Sequence, residues 1–127
     1  ELGIEMLVLD DGWFGSRDSD NAGLGDWFVN TDKLKGGLTD LVTGINGLGM
    51  KFGIWIEPEM VNEDSRLYRE HPDWALTIPG RKPCRSRNQL VLDMSRSEVR
   101  DYLRCLQRRS PQRTPGRGLP PLRAWHL

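Results

Sequence analysis

Met6-Leu7-Val8-Leu9 is an unbroken apolar run, too short for a helix and without polar alternation. It predicts a buried parallel strand over residues 4–9. Leu38, Leu41, Val42, Ile45 and Leu48 recur at i, i+3, i+4, i+7 and i+10, one face of an amphipathic helix. Gly37 can cap its start, and Gly49 supplies a left-handed stop. A second strand follows at once, Lys51 to Ile56. Strand, helix, strand is a βαβ unit, whose crossover makes the two strands parallel. The expected fold class is therefore α/β.

Further along, Asn62 to Glu70 reads as a short helix stopped by His71-Pro72. Residues 77–88 are a basic loop, and Leu90 to Asp93 a brief extended run. Ser95-Arg96-Ser97-Glu98 has capping-box spacing. Val99, Tyr102, Leu103 and Leu106 then share one face, so a third helix is expected from Ser95. No strand follows it. The chain turns instead to arginine, proline and glycine, with prolines at 111, 115, 120 and 121.

Charge separates the two parts. Over the 127 residues it sums to zero, yet residues 1–103 hold 12 Lys+Arg against 18 Asp+Glu, while 104–127 hold six Arg and no acid. The division expected is a folded body, 1–103, and a tail, 104–127, unable to bury enough apolar surface to fold. The tail reads either as a basic nucleic-acid-binding arm or as non-native sequence, as a frameshift would produce. The second is favoured, because the tail interrupts an unfinished fold. No nucleic-acid partner is expected: the body is acidic and its aromatics do not interleave with basic residues. No apolar run approaches a membrane span. The opening Glu1-Leu2-Gly3 has neither an initiator Met nor a charged leader, which reads as an internal piece of a longer chain. Cys84 and Cys105 lack both C-x-x-C spacing and framework density, so a reducing, cytoplasmic setting is expected.

Candidate chemistry sits at the strand ends. The first strand stops in Asp10-Asp11-Gly12-Trp13-Phe14 and the second in Trp55-Ile56-Glu57-Pro58-Glu59. Parallel neighbours share a carboxyl edge, where α/β proteins bind ligands. Asp10, Asp11, Glu57 and Glu59 are thus expected on one rim. Consecutive strand residues face opposite ways, so the doublet is no acid/base pair, but both could turn upward at the fraying end. Carboxylates beside Trp13 and Trp55 suit a neutral, polyhydroxylated ligand: the rings cover C–H surface and the carboxylates accept from hydroxyls. A sugar is the obvious case. Other readings stay open. One Asp could cap a turn, one of Glu57 and Glu59 could form a structural ion pair, and four carboxylates could hold Mg²⁺ or Ca²⁺. Trp27, Trp74 and His71 read as packing residues, and the long segment 15–33 as a functional loop.

Five segments together carry a resemblance: Leu9-Asp10-Asp11-Gly12-Trp13-Phe14, Leu24-Gly25-Asp26-Trp27-Phe28, Leu48 to Gly53, Trp55 to Met60 and Arg87-Asn88-Gln89-Leu90-Val91-Leu92-Asp93. With His71-Pro72-Asp73-Trp74 between them, residues 1–103 resemble the bacterial α-galactosidases (melibiases) of glycoside hydrolase family 36. The resemblance implies part of a (β/α)8 TIM barrel: two core parallel strands with crossover helices. It implies a retaining hydrolase of terminal α-linked galactose, as in melibiose and raffinose, with no cofactor, no metal and a homo-oligomeric parent. Asp10 and Asp11 match the pair that holds galactose hydroxyls, Trp55 an active-site aromatic, and Arg87 a substrate-side arginine. Trp13, Glu57 and Glu59 match supporting positions. The family's nucleophile and acid/base aspartates lie beyond the matching segment. The expectation is a partial galactose pocket without catalytic groups; the alternative is a non-catalytic carbohydrate-binding module.

Overall fold

The computed structural model describes residues 3–83, 85 and 87–109. The predicted tail from residue 110 onward, and Cys84, lie outside them. Strand β1 (Met6–Leu9) and strand β2 (Lys51–Ile54) pair in parallel, joined by helix α1 (Gly37–Gly47). This is the βαβ unit that the apolar rhythm predicts. The register sets Met6 opposite Lys51 and Leu9 opposite Ile54. One further bond, Trp55 N–H to the Leu9 carbonyl at 2.8 Å, carries the pairing to the carboxyl edge. Gly49 ends the helical segment at φ +76°, the left-handed conformation expected of it.

Two expectations for this unit change. Helix α1 follows Gly36, not Gly37, with no side-chain cap. Leu48, counted on its apolar face, lies past its end and is exposed. Strand β1 is not buried: Met6 and Val8 are 51% and 56% exposed. The reason is geometric. Among the described residues β1 pairs only with β2, and a two-stranded sheet cannot cover its own faces.

A second, antiparallel pair follows: strand β3 (Met60–Asn62) on strand β4 (Gln89–Val91), with Val61 opposite Leu90. The helix predicted over 62–70 shrinks to α2 (Arg66–Glu70). Asn62 belongs to β3, and Ser65 is the N-cap, its side chain accepting from the Tyr68 N–H. Helix α3 (Ser97–Arg109) begins two residues later than predicted and continues through residues 104–109. Ser95 spends its N–H and its hydroxyl on the Asp93 carboxylate, at 3.0 and 2.6 Å, so no Ser95–Glu98 capping box forms. The Asp93 turn wins because both groups reach one local acceptor.

Two cores result. Val61, Leu67, Trp74, Leu90, Leu92, Val99 and Leu103 pack α2 and α3 against β3–β4. His71 stacks on Trp74 at 4.0 Å and 11°, so both are packing residues. Trp13, Phe14 and Leu24 form the second core, with Trp27, Trp55 and Ile56 against it, beneath the carboxyl edge of β1–β2.

Candidate carbohydrate site at the strand edge

The chain leaves β1 at Asp10 and folds back through Phe14, which bridges to Val29. The loop so closed carries Arg17, a residue 3% exposed. Its guanidinium grips the Asp11 carboxylate: Nε donates to Oδ1 at 2.9 Å and Nη2 to Oδ2 at 2.7 Å. Nη1 donates to the Ala22 carbonyl at 3.0 Å, so all three nitrogens are engaged. Gly23 makes this fold possible. At φ +81° a Cβ there would lie 2.9 Å from the Arg17 backbone nitrogen. Lys33 seals the turn, its Nζ donating to the Gly12 and Arg17 carbonyls at 3.1 and 2.7 Å.

Asp11 is therefore a held carboxylate. The Arg17 hydrogen bond comes first in keeping its acid form below the ordinary carboxylate range, aided by the Gly12 N–H and by the charges of Arg17 and Arg87. Among the described residues no hydrogen bond or ion pair joins Arg87 to Asp11. Arg87 is exposed, at φ 50°. Asp10 is exposed too, and none of the described residues bonds its carboxylate. Trp55 is half-buried, its ring 6.2 Å from that of Trp27.

Other predicted residues fall differently. Trp13 is 6% exposed, so its ring is no open platform; its indole N–H donates to the Trp55 carbonyl at 3.0 Å and supports that residue. Trp27 packs between Phe14 and Trp55, as expected. The Glu57 carbonyl accepts from Met60, while Oε2 is buried without a partner among the described residues. Glu59 is exposed beyond that turn, its carbonyl accepting from Leu92, where the chain has left the parallel pair. The ion pair expected at Glu57 or Glu59 does not form among the described residues. Nor do any three His, Cys, Asp or Glu among them cluster as metal ligands. A separate cleft of about 510 Å³ is lined by Trp13, Trp27, Ile54, Ile56, Tyr102 and Leu106; Asp10, Asp11 and Arg87 do not line it.

The sequence reading missed Arg17. Its only visible signal is an arginine in a loop otherwise rich in glycine and aspartate, six positions after the carboxylate it holds.

A parallel βαβ unit with Asp10, Asp11 and Trp55 following its strands at the carboxyl edge defines an α/β chain. The Melibiase family model matches residues 1–109, and the chain belongs to that family, whose characterised relatives are α-galactosidases. It is 68% identical over 100 residues to the bifunctional α-galactosidase/sucrose kinase AgaSK of Mediterraneibacter gnavus, covering 79% of this chain and 11% of that protein. It is 59% identical over 103 residues to α-galactosidase AgaA of Geobacillus stearothermophilus, covering 81% and 14%. Among solved structures, AgaA, a GH36 α-galactosidase, aligns at a TM-score of 0.77 over 80% of this chain and 14% of its own. The Lactobacillus brevis α-galactosidase aligns at 0.81 and 54% identity, over 84% and 14%. AgaA variants are solved in complex with raffinose and stachyose. Among the described residues no helix is long and apolar enough to cross a membrane.

Proposed function

We propose that residues 1–103 are part of the (β/α)8 barrel of a retaining α-galactosidase, and that they hold terminal α-linked galactose without supplying either catalytic carboxylate. The observation that carries this is the pairing of an open Asp10 with a clamped, ionised Asp11 beside Trp55, at the carboxyl edge of two parallel strands. Asp10 and Asp11 accept hydrogen bonds from sugar hydroxyls, Trp55 covers C–H surface, and Arg87 donates to a substrate oxygen. Trp13 and Glu57 support from beneath, and Glu59 from beyond the turn. The hydroxyl bonds strengthen as the ring flattens toward an oxocarbenium-like transition state, so they contribute to rate as well as affinity. Bond cleavage itself needs two carboxyls roughly 5–5.5 Å apart across the scissile bond, one as nucleophile. In this reading neither role falls to Asp10, Asp11, Glu57 or Glu59. Melibiose and raffinose are the substrate type, the parent enzyme is a cytoplasmic homo-oligomer, and no nucleic acid is bound.

The test is a graft. Residues 1–103 replace the segment they match in full-length AgaA, and the chimera is assayed on an aryl α-galactoside and on raffinose. Activity that falls on replacing Asp10, Asp11 or Arg87, with the pH limits of kcat unchanged, supports the reading. A chimera indifferent to all three sinks it.

A further inference from the structure

Arg87 and Asn88 are consecutive non-glycine residues in the left-handed region, at φ 50° and 58°. Such a conformation persists only where its surroundings determine it. The main determinant here is Asn62, fully buried in β3. Its Nδ2 donates to the Asn88 carbonyl at 3.0 Å. Its Oδ1 accepts from the Leu24 N–H at 2.8 Å, and its own N–H donates to the Leu24 carbonyl at 2.9 Å. One amide thus ties the loop that follows β1 to the turn that carries Arg87. Two weaker links run the same way: Asn88 Nδ2 to the Asn21 carbonyl at 3.3 Å, and Gln89 Nε2 to the Asp20 carbonyl at 3.5 Å. Asn21 and Asp20 adjoin Ala22, whose carbonyl holds Arg17, which holds Asp11.

We propose that Asn62 is a positioning residue for Arg87: its buried amide fixes the left-handed turn that holds Arg87 against the loop following β1. No other side chain of this size fills both parts. An ionised aspartate keeps the acceptor for Leu24 and lacks the donor for Asn88; a leucine lacks both. The argument rests on the reading of Arg87 as a substrate-side arginine, and the experiment separates the two.

In the AgaA chimera, Arg87→Ala, Asn62→Ala, Asn62→Asp and the two double variants with Arg87→Ala are compared by kcat, KM and thermal midpoint. Asn62→Asp is assayed across a range of pH, because a protonated carboxyl still donates to the Asn88 carbonyl and an ionised one does not. Arg87→Ala is expected to lower kcat/KM about tenfold to a hundredfold. Either Asn62 variant is expected to lower it about tenfold, and to lower it no further once Arg87 is already alanine. Losses that add to that of Arg87→Ala, or a lowered thermal midpoint with kcat/KM unchanged, would leave Asn62 a purely structural residue and overturn the proposal. Failure of both Asn62 variants to fold would do the same. Unchanged kcat/KM in Arg87→Ala alone would instead remove the reading beneath it.

Discussion

Asp10 and Asp11 are adjacent acids of the same type, yet their surroundings predict different responses to the same change. Asp11→Asn turns one carboxylate oxygen into an amide nitrogen. Either choice meets a donor: Oδ1 receives Arg17 Nε at 2.9 Å and the Gly12 N–H at 2.6 Å, and Oδ2 receives Nη2 at 2.7 Å. The variant therefore sets N–H against N–H and leaves a guanidinium whose side chain is 2% exposed without its counter-charge. Breaking a fully buried pair costs about 3–5 kcal/mol. The Asp11 side chain is 35% exposed, so water relieves part of this, and about 2 kcal/mol is the reasoned value. For a domain of barrel size that corresponds to a fall of about 4–8 °C in the unfolding midpoint. Asp10→Asn disturbs no bond among the described residues and should leave the midpoint within about a degree.

Activity should fall in both variants. A charge-assisted hydrogen bond contributes about 1.5–3 kcal/mol, which is about tenfold to a hundredfold in kcat/KM. The assay is kcat/KM on an aryl α-galactoside with the thermal midpoint of the same preparation, in the AgaA chimera. Equal midpoints for the two variants would show that the Arg17 clamp does not hold Asp11. Full kcat/KM in both would make the doublet structural and refute its assignment to sugar hydroxyls.

Arg17→Met should lower the midpoint by a similar amount, with a pH dependence of known sign. The folded value of Asp11 is lowered, so the stability it contributes is complete above the ordinary 3.8 and is lost as pH falls through the lowered value. The gap between parent and Arg17→Met midpoints should be flat from pH 7 to about 5 and close below pH 4; a gap that widens there would reverse the argument. Gly23→Ala should destabilise the same loop, because its Cβ would meet the Arg17 backbone at 2.9 Å, and an unchanged midpoint would count against that close approach. The 127-residue chain alone should not hydrolyse an aryl α-galactoside, and turnover abolished by Asp11→Ala would assign chemistry to the rim. The exposed apolar β1 should make that isolated chain bind ANS without a sharp thermal transition, whereas a monomeric, cooperative melt would favour the binding-module reading.

The βαβ unit was legible because its signals are local and strong: an unbroken apolar run, a helical period, and a glycine stop whose φ is +76°. Strand β3 was not. Three residues, Met60-Val61-Asn62, carry no period, and their pairing with Gln89 to Val91 depends on residues 27 to 31 positions away. The start of α3 was misplaced because Ser95 has two local options, and Asp93 is the nearer acceptor. At the candidate site, residue types at strand ends pointed to Asp10, Asp11 and Trp55, and the parallel pairing of β1 with β2 puts the ends of both strands on one edge. Arg17 and Asn62 were invisible for the opposite reason. Each acts by reaching a specific carboxylate or carbonyl, and spacing in a loop does not encode reach.

That reach makes the doublet unsymmetrical in a way its sequence conceals. A carboxylate offers about four acceptor positions. On Asp11, Oδ1 accepts from the Gly12 N–H and Arg17 Nε, and Oδ2 accepts from Nη2 at 2.7 Å and shares Nε at 3.1 Å, so three donor hydrogens leave about one position for a ligand. Asp10 keeps all of its own among the described residues, with no cation bonded to it. Asp11 thus presents a neutralised, fixed acceptor suited to aligning a single hydroxyl. Asp10 presents an uncompensated charge that can take two. Positive charge developing on a sugar ring is felt more strongly by the uncompensated carboxylate. Asp10→Asn should consequently cost more in kcat than in KM, and Asp11→Asn more in KM than in kcat, measured on one substrate in the chimera. The reverse split would mean that the Arg17 clamp opens when sugar binds.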